Sequence, residues 1–573
     1  MPPPQGGAAM AVNPFNGMTF HTHAHLPVAA AYCRKLGLME IIDSLVPSQM
    51  ELSPGLAVQA LVLDVLSGRS PLYRVQEFWE SQDRRLLLGD DVDARLFNDT
   101  NLGRALDAIY EAGPSRIITE VGIAAARVFA LDVSTVSYDT TSISVWGEYL
   151  ICEDEDFSAG PRITYGHSKD KRPDLRQLMM ELLCVERGVP IVGSSLDGNS
   201  SDKRSNNELL GSISRIMARH GLGEGTFVYV GDGAMVTLQN LALLTATRFV
   251  SRLPANFSAC PAAIDRAVES GLWVELGTLA ELESSRNPAS YRAQETTVEI
   301  GEKEWRAVVV HSDSHDRRRQ KAIERRLEQS AKDLSSRAGE AQVRYFCEQD
   351  AKEAVSAMEA MEGQLHAIEA SYTEVAVNRR GRPPKEGPRP VDIRYDLSWR
   401  IVEKEDKVRR LRERAGCFVL LTNVPVESLD AKELLRTYKG QMGVESSFAF
   451  LKDPLVVNDL FLKRPSRIDA LGMVLILALL VWRLMERQMR LYLNEHGAKL
   501  PGWDKKPTDR PTSFMMSTVF QGILVGRLNG RSYLLEPLSE RRMLFLQSLG
   551  LDERVFTDRV VPSLTCRRGV PDD

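Results

Sequence analysis

Cysteine is scarce in this 573-residue chain: seven residues, at 33, 152, 184, 260, 347, 417 and 566, with no CxxC pair among them. Such scatter speaks against a zinc ribbon or a disulfide scaffold and fits a reducing cytoplasm, the expected location. An excess of positive charge is also lacking. The 72 Lys and Arg stand against 77 Asp and Glu, for a net charge of −5. Any nucleic-acid surface must then be a local patch, with acidic residues segregated elsewhere. No charged and apolar leader pattern opens the chain, so no signal peptide is expected. Long apolar runs are missing too. Ala470–Trp482 falls short of the roughly 18 residues a membrane span needs, and Arg483 follows at once. A buried core helix is expected there, and no membrane partner. What is present is an ordinary globular composition, 43% hydrophobic and 26% charged, over a length that exceeds one comfortable core.

Patterning divides the chain. Residues 1–20, rich in Pro, Gly and Ala, read as a disordered tail. Residues 21–130 show helical spacing and read as an α-helical domain. Ser53-Pro54 suits an N-cap and first helical position, and Thr100 and Asn101 suit another cap. A small helical domain in this place commonly binds DNA, although helical bundles do many other things. From about 131 the apolar period changes from 3.6 to 2. Strands are expected at Thr135–Trp146, Arg162–Tyr165, Gln177–Glu186, Val189–Leu196, Phe227–Gly231 and Arg248–Leu253, with helices over 203–220 and 234–246. Hairpin strands, a helix, then strand–helix–strand is the order of a ribonuclease-H-like domain, here 131–253. Residues 254–416 interrupt it with β-like segments and then a charged helical stretch. There Leu327, Ala331, Leu334, Ala338, Ala341 and Tyr345, resumed by Ala354, Met358, Met361, Leu365 and Ile368, suggest a helical hairpin or short coiled coil. Residues 417–495 return to the core with a strand and a helix, and 496–573 read as a C-terminal helical region. The fold class expected is multidomain α/β: a mixed-sheet core with helices, an N-terminal helical domain and a large β-plus-helical insertion.

Three distant carboxylates carry the chemistry. Asp139 lies within a β-branched run, Asp232 ends the apolar strand Phe227–Gly231, and Glu445 lies on a helix expected from near Asp430 to just before Pro454. Two strand aspartates and a helical glutamate suit a cage for Mg²⁺, a hard cation that prefers carboxylates and keeps waters. Two such ions can activate a nucleophile and stabilise the leaving oxygen of a phosphodiester displacement. On one continuous helix, at about 100° per residue, Tyr438, Gln441, Glu445 and Lys452 fall within roughly a 60° arc. A solvated stripe is the commoner fate of such a face, but the order behind two strand aspartates reverses that preference.

The spacing Tyr438-x2-Gln441-x3-Glu445-x6-Lys452 resembles the YREK signature of bacterial insertion-sequence transposases of the DDE class. The segments Gly166-His-Ser-Lys169-Asp-Lys-Arg172-Pro-Asp174, Asp459-Leu-Phe-Leu-Lys463-Arg-Pro465-Ser-Arg467 and His25-Leu-Pro look like the same group, so the resemblance spans about 25–545. Gln441 departs from the family's arginine and supplies no charge. The resemblance implies an integrase-like, ribonuclease-H-like catalytic core. Asp139, Asp232 and Glu445 would be catalytic and would hold two Mg²⁺ or Mn²⁺ ions. Tyr438 and Lys452, and more weakly Gln441, would hold phosphates of double-stranded DNA. The activity implied is cleavage at the element's terminal inverted repeats and joining of the 3′-hydroxyls to target DNA, by at least a homodimer, with no small-molecule substrate. A ribonuclease-H-like nuclease without strand transfer, and a non-catalytic DNA-binding protein, are the rival readings.

Other features carry weaker signals. Lys169, Lys171 and Arg172 form a basic cluster suited to phosphate. Arg379-Arg380-Gly-Arg382-Pro-Pro-Lys385 resembles an AT-hook core, with Arg380 and Arg382 fitting a narrow minor groove, or is a basic loop joining insertion elements. Trp273 and Trp305 could stack on a flipped base, although tryptophan packing is commoner. His21, His23 and His25 could face one side of a strand as metal ligands, but a solvated extended segment is the expectation.

Overall fold

The computed structural model describes residues 18–564 apart from 90–91, 146–159, 170, 187, 202–211, 220, 222–225, 246, 280–287, 381–390, 454–461, 463 and 504–505. The protein is mixed α/β with a large mixed sheet. It forms two compact units, Met1–Val250 with Thr437–Asp573, and Ser251–Arg436.

The first unit opens with strand β1 (Thr19–His23) and the helices α1 (Leu26–Leu36), α2 (Leu38–Leu45), α3 (Pro54–Leu66), α4 (Val75–Ser81), α5 (Arg84–Leu88), α6 (Asp99–Ala112) and α7 (Pro114–Val128). Ser53 accepts the Leu56 N–H and Pro54 takes the first turn of α3, as its sequence suggests. The cap of α6 is Asn98, which accepts from Asn101, rather than Thr100 or Asn101. Strands then follow: β2 (Thr135–Val145), β3 (Arg176–Val185), β4 (Val189–Leu196), β5 (Val228–Gly231) and β6 (Arg248–Arg252), with helices α8 (Ile213–Arg219) and α9 (Leu238–Leu243). Their order is β4-β3-β2-β5-β6, which counted from β2 is 3-2-1-4-5. The pairs β2–β3 and β3–β4 are antiparallel and β2–β5 is parallel. Of the strand expected at Arg162–Tyr165, only a bridge between Thr164 and Gln177 is present.

The second unit contains α10 (Ala259–Ser270), β7 (Val274–Thr278), β8 (Ser290–Ile300), β9 (Lys303–Ser312), α11 (Asp313–Ala338), β10 (Arg344–Tyr345), α12 (Glu348–Glu359), β11 (His366–Asn378), β12 (Val391–Glu403), α13 (Glu405–Ala415) and β13 (Cys417–Thr422). Strands β13-β9-β8-β7 are neighbours, and β10-β12-β11 form a separate sheet. The expected helical hairpin is absent. The apolar seam of α11 is real, but Leu334 and Ala338 pack with Met358, Ile368 and Leu397 of α12, β11 and β12. The segment from His366 alternates and carries Ile368, Tyr372, Thr373, Val375 and Val377, and it pairs with β12 over its whole length. The heptad spacing of Ile368 also satisfies a period of two.

Strand β6 and helix α14 (Ala431–Lys439) each cross a unit boundary. The first unit resumes with α15 (Met442–Leu451), α16 (Pro465–His496), β14 (Leu500–Pro501), β15 (Pro507–Thr508), α17 (Ser513–Val519), β16 (Ile523–Leu528), β17 (Arg531–Leu534) and α18 (Glu540–Ser548). Among the described residues α16 is long and apolar enough to cross a membrane, but 83% of its apolar window is buried against the protein. It packs on α3, α6 and β4, the core role expected of Ala470–Trp482. The C-terminal region is not purely helical: β16 and β17 form a sheet with β1. That pairing also overturns the solvated reading of the histidine segment, because His23 and His25 are buried.

Candidate metal and phosphate site

Strand register places two of the three carboxylates together. Ser137 of β2 stands beside Val230 of β5 in a parallel pair. One period further along each chain come Asp139 and Asp232, on the same face as Ser137 and Val230. Asp232 keeps an extended backbone, φ −73° and ψ 178°, so the line of β5 continues to it. Adjacent strands run roughly 4.8 Å apart where they pair, and the aspartates follow two residues after the last pair. Asp232 Oδ1 also accepts the Ala234 N–H at 3.0 Å, capping the short turn behind it. Both carboxylates are partly exposed.

The surroundings are polar and charged. Thr140 N–H donates to Asp139 Oδ1 at 2.7 Å. The Lys169 ammonium lies 3.7 Å from Asp139 Oδ1 and donates to Thr140 O at 2.6 Å and Thr140 Oγ1 at 2.9 Å. On the other face, Tyr138 and Ser194 hydroxyls donate to the two oxygens of Glu181, at 2.7 and 2.6 Å. Burial pushes the Tyr229 phenol well above its ordinary range, and the charges of Asp232, Glu181 and Asp139 add to the rise. Cys184 lies beside Ser137 on β3. Burial raises its thiol to about 12, with Arg483 pulling it down and Asp139 pushing it up.

The third carboxylate rides on a helix that shares this face. Gly193 stands opposite Leu182, which stands opposite Asp139, and a Cβ at Gly193 would come within 2.8 Å of Ile476 on α16. Helix α16 therefore covers the Asp139 side of the sheet. Its Arg483 donates to Ser446 Oγ at 2.8 Å and Ser447 Oγ at 3.3 Å, and so holds α15. Ser447 in turn donates to Gly188 O at 2.8 Å, in the β3–β4 turn. Helix α15 packs on β2, and Glu445 is exposed in its first turn.

The expected single helix from Asp430 is broken. Asp430 and Glu433 cap α14 reciprocally. The chain then tightens at Gly440-Gln441, where Gly440, Gln441, Gly443 and Val444 N–H groups each bond three residues back. Arc arithmetic for a continuous helix does not carry across that turn. Tyr438 lies on α14, Gln441 at the break, and Lys452 caps α15. Gln441 is only 9% exposed, so it offers little surface to a phosphate.

Among the described residues no group of three or more His, Cys, Asp or Glu side chains stands arranged to hold a metal. The three-carboxylate cage is thus not preformed. The adjacent aspartates still fit Mg²⁺ or Mn²⁺, since such ions are commonly bound through one or two carboxylates, waters and substrate phosphates.

Of the remaining predicted residues, Arg172 is held bidentately by Asp174 at 2.9 and 2.7 Å. Arg380 is exposed at the end of β11, beside Arg379, which pairs with Asp392 at 3.6 Å. Arg382 lies outside the described residues. Trp305 is buried, and Arg292 lies 4.8 Å from the Trp273 ring, so both tryptophans pack within the second unit. Sequence reasoning missed Glu181 and Arg483. Nothing local marks them: Glu181 interrupts an apolar strand, and Arg483 ends an apolar run.

A family model described as a domain of unknown function (DUF4277) matches residues 18–123, and that domain is found in transposase-like proteins. The match covers β1 and nearly all of the N-terminal helices. No curated protein matches the chain.

Proposed function

We propose that this protein is a DDE-type transposase with a ribonuclease-H-like core. It binds the terminal inverted repeats of an insertion sequence, cuts at the element ends and joins the 3′-hydroxyls to target DNA. The observation that carries the reading is the parallel pairing of Ser137 with Val230, two residues before Asp139 and Asp232. The strand order 3-2-1-4-5 supports the core assignment, and the matched N-terminal domain supports the class. Asp139 and Asp232 would hold a divalent ion between strands, and Glu445 would join them once DNA brings α15 into place. A bound Mg²⁺ or Mn²⁺ pair would activate water or a 3′-hydroxyl and stabilise the leaving oxygen. The chain's own part is positioning: Tyr438 and Lys452 flank Glu445 in sequence, and Lys169 stands at Asp139. Joining two ends requires at least a dimer on DNA. The test is metal-dependent cleavage and strand transfer on the element's end DNA with Asp139→Asn, Asp232→Asn and Glu445→Gln. Full cutting by all three variants would end the proposal.

That no group of three acidic, His or Cys side chains stands ready for a metal among the described residues favours one alternative, a DNA-binding protein that has lost catalysis. It predicts protection of end DNA without any metal-dependent product. A nuclease that cuts without joining is separated by a strand-transfer assay with a 3′-hydroxyl donor.

A further inference from the structure

We infer that Lys169 is a built-in counter-ion that sets how tightly the two-aspartate site holds a divalent cation. The inference rests on the metal-site reading above and deepens it. Beyond Ser137 no residue of β5 pairs with β2, and it is on this stretch that the Lys169 ammonium docks. Two of its hydrogen bonds are spent on Thr140, to the carbonyl at 2.6 Å and the hydroxyl at 2.9 Å. Its backbone N–H is anchored separately on Ser142 Oγ at 3.0 Å. The ammonium is thus held by the strand, 3.7 Å from Asp139 Oδ1, a distance of charge attraction rather than a hydrogen bond.

This arrangement has two consequences. Two carboxylates on neighbouring strands repel, and a fixed ammonium offsets that repulsion in the metal-free chain. A divalent ion at the same carboxylates then meets a positive charge already in place, which weakens its hold. A DNA phosphate entering the site supplies the negative charge that relieves this conflict, so metal and DNA would favour each other's binding.

The test is Mn²⁺ binding by calorimetry on the full chain without DNA, for wild type, Lys169→Gln, Lys169→Arg, Asp139→Asn and Asp232→Asn. Removing the charge is expected to tighten Mn²⁺ binding at least about fivefold, whereas Lys169→Arg stays within about twofold of wild type. Asp139→Asn is expected to abolish binding. Lys169→Met carries the same expectation as the glutamine variant, with thermal melting in chelator verifying the fold of each. If the neutral variants bind Mn²⁺ no more tightly than wild type while Asp139→Asn loses it, the counter-ion role is wrong and the site stands. If Asp139→Asn and Asp232→Asn bind Mn²⁺ like wild type, the site and the inference fall together.

Discussion

The two halves of the candidate site are built by different means. Asp139 and Asp232 each follow by two residues the last pair of a parallel ladder, Ser137 with Val230, and a one-residue slip of either strand would turn its aspartate away from the other's face. Glu445 depends on a chain of side-chain contacts: Ser447 on Gly188, Arg483 on Ser446 and Ser447, and Phe450 on Trp482 at 5.8 Å between ring centres. A ladder is rigid, whereas a helix that follows a tightened turn, even with Val444, Phe448 and Leu451 buried beneath it, can shift as a body. The sheet-borne half is preset and the helix-borne half is placed. A metal should therefore bind before the third carboxylate arrives.

The largest effects test that order. Asp139→Asn and Asp232→Asn should lower metal-dependent cleavage about 10³-fold or more and Glu445→Gln at least about 100-fold. Mn²⁺ binding without DNA should separate them: lost in the aspartate variants, retained in Glu445→Gln. Loss of DNA-free metal binding in Glu445→Gln would break the comparison. Next comes the seat of α15. Gly188 has φ +114°, and a Cβ there would come within 2.5 Å of Gly443 O. Gly188→Ala should cost about 2 kcal/mol in chemical denaturation and reduce cleavage while leaving Mn²⁺ binding by the aspartates intact.

Legibility follows the same division. Val189–Leu196 coincides with β4, and β2, β3, β5 and β6 fall within a residue or so of expectation at their described ends. Buried strands announce themselves by continuous apolar or β-branched runs between turn residues. The break at Gly440-Gln441 was not legible, because the apolar spacing continues through a turn that merely tightens. Nor was the burial of His23: its strand pairs with β16 some five hundred positions away, and local polarity argued for water. The basic cluster around Lys169 was visible as charge, but its docking on Thr140 depends on where β5 ends.

Acid should act on the placed half. His25 packs edge-on against Trp482 at 5.7 Å, the ring that also meets Phe450. Its Nε2–H donates to Leu66 O at 2.9 Å, and burial lowers its pKa from 6.5 to about 4. The unfolded chain then takes up a proton more readily than the folded one. His25's contribution is complete above pH 6.5 and is lost as pH falls to about 4. Asp64 and Asp469, raised to about 6 by burial, act in the opposite direction, so the signal lies in a difference between variants. His25→Gln should be less stable than wild type at pH 7, and that gap should shrink by up to about 3 kcal/mol by pH 4. A gap constant across denaturant melts at the two pH values would remove His25 from the account.

The smallest effect concerns a residue outside both halves. Arg380 lies exposed where β11 leaves its thirteen-pair ladder with β12. A guanidinium there can meet DNA only as one contact among many. Arg380→Gln should weaken DNA binding a few-fold and lower the salt dependence by about one charge, with cleavage at saturating DNA unchanged. The useful control is an A·T-rich against a G·C-rich flank. If Arg380 reads a narrow minor groove, its loss should weaken the A·T-rich substrate more; if it meets only phosphate, both substrates should weaken alike. A fall in cleavage at saturation would instead tie the hairpin to the chemistry, and the separation between a preset strand pair and a placed helix would no longer describe the whole site.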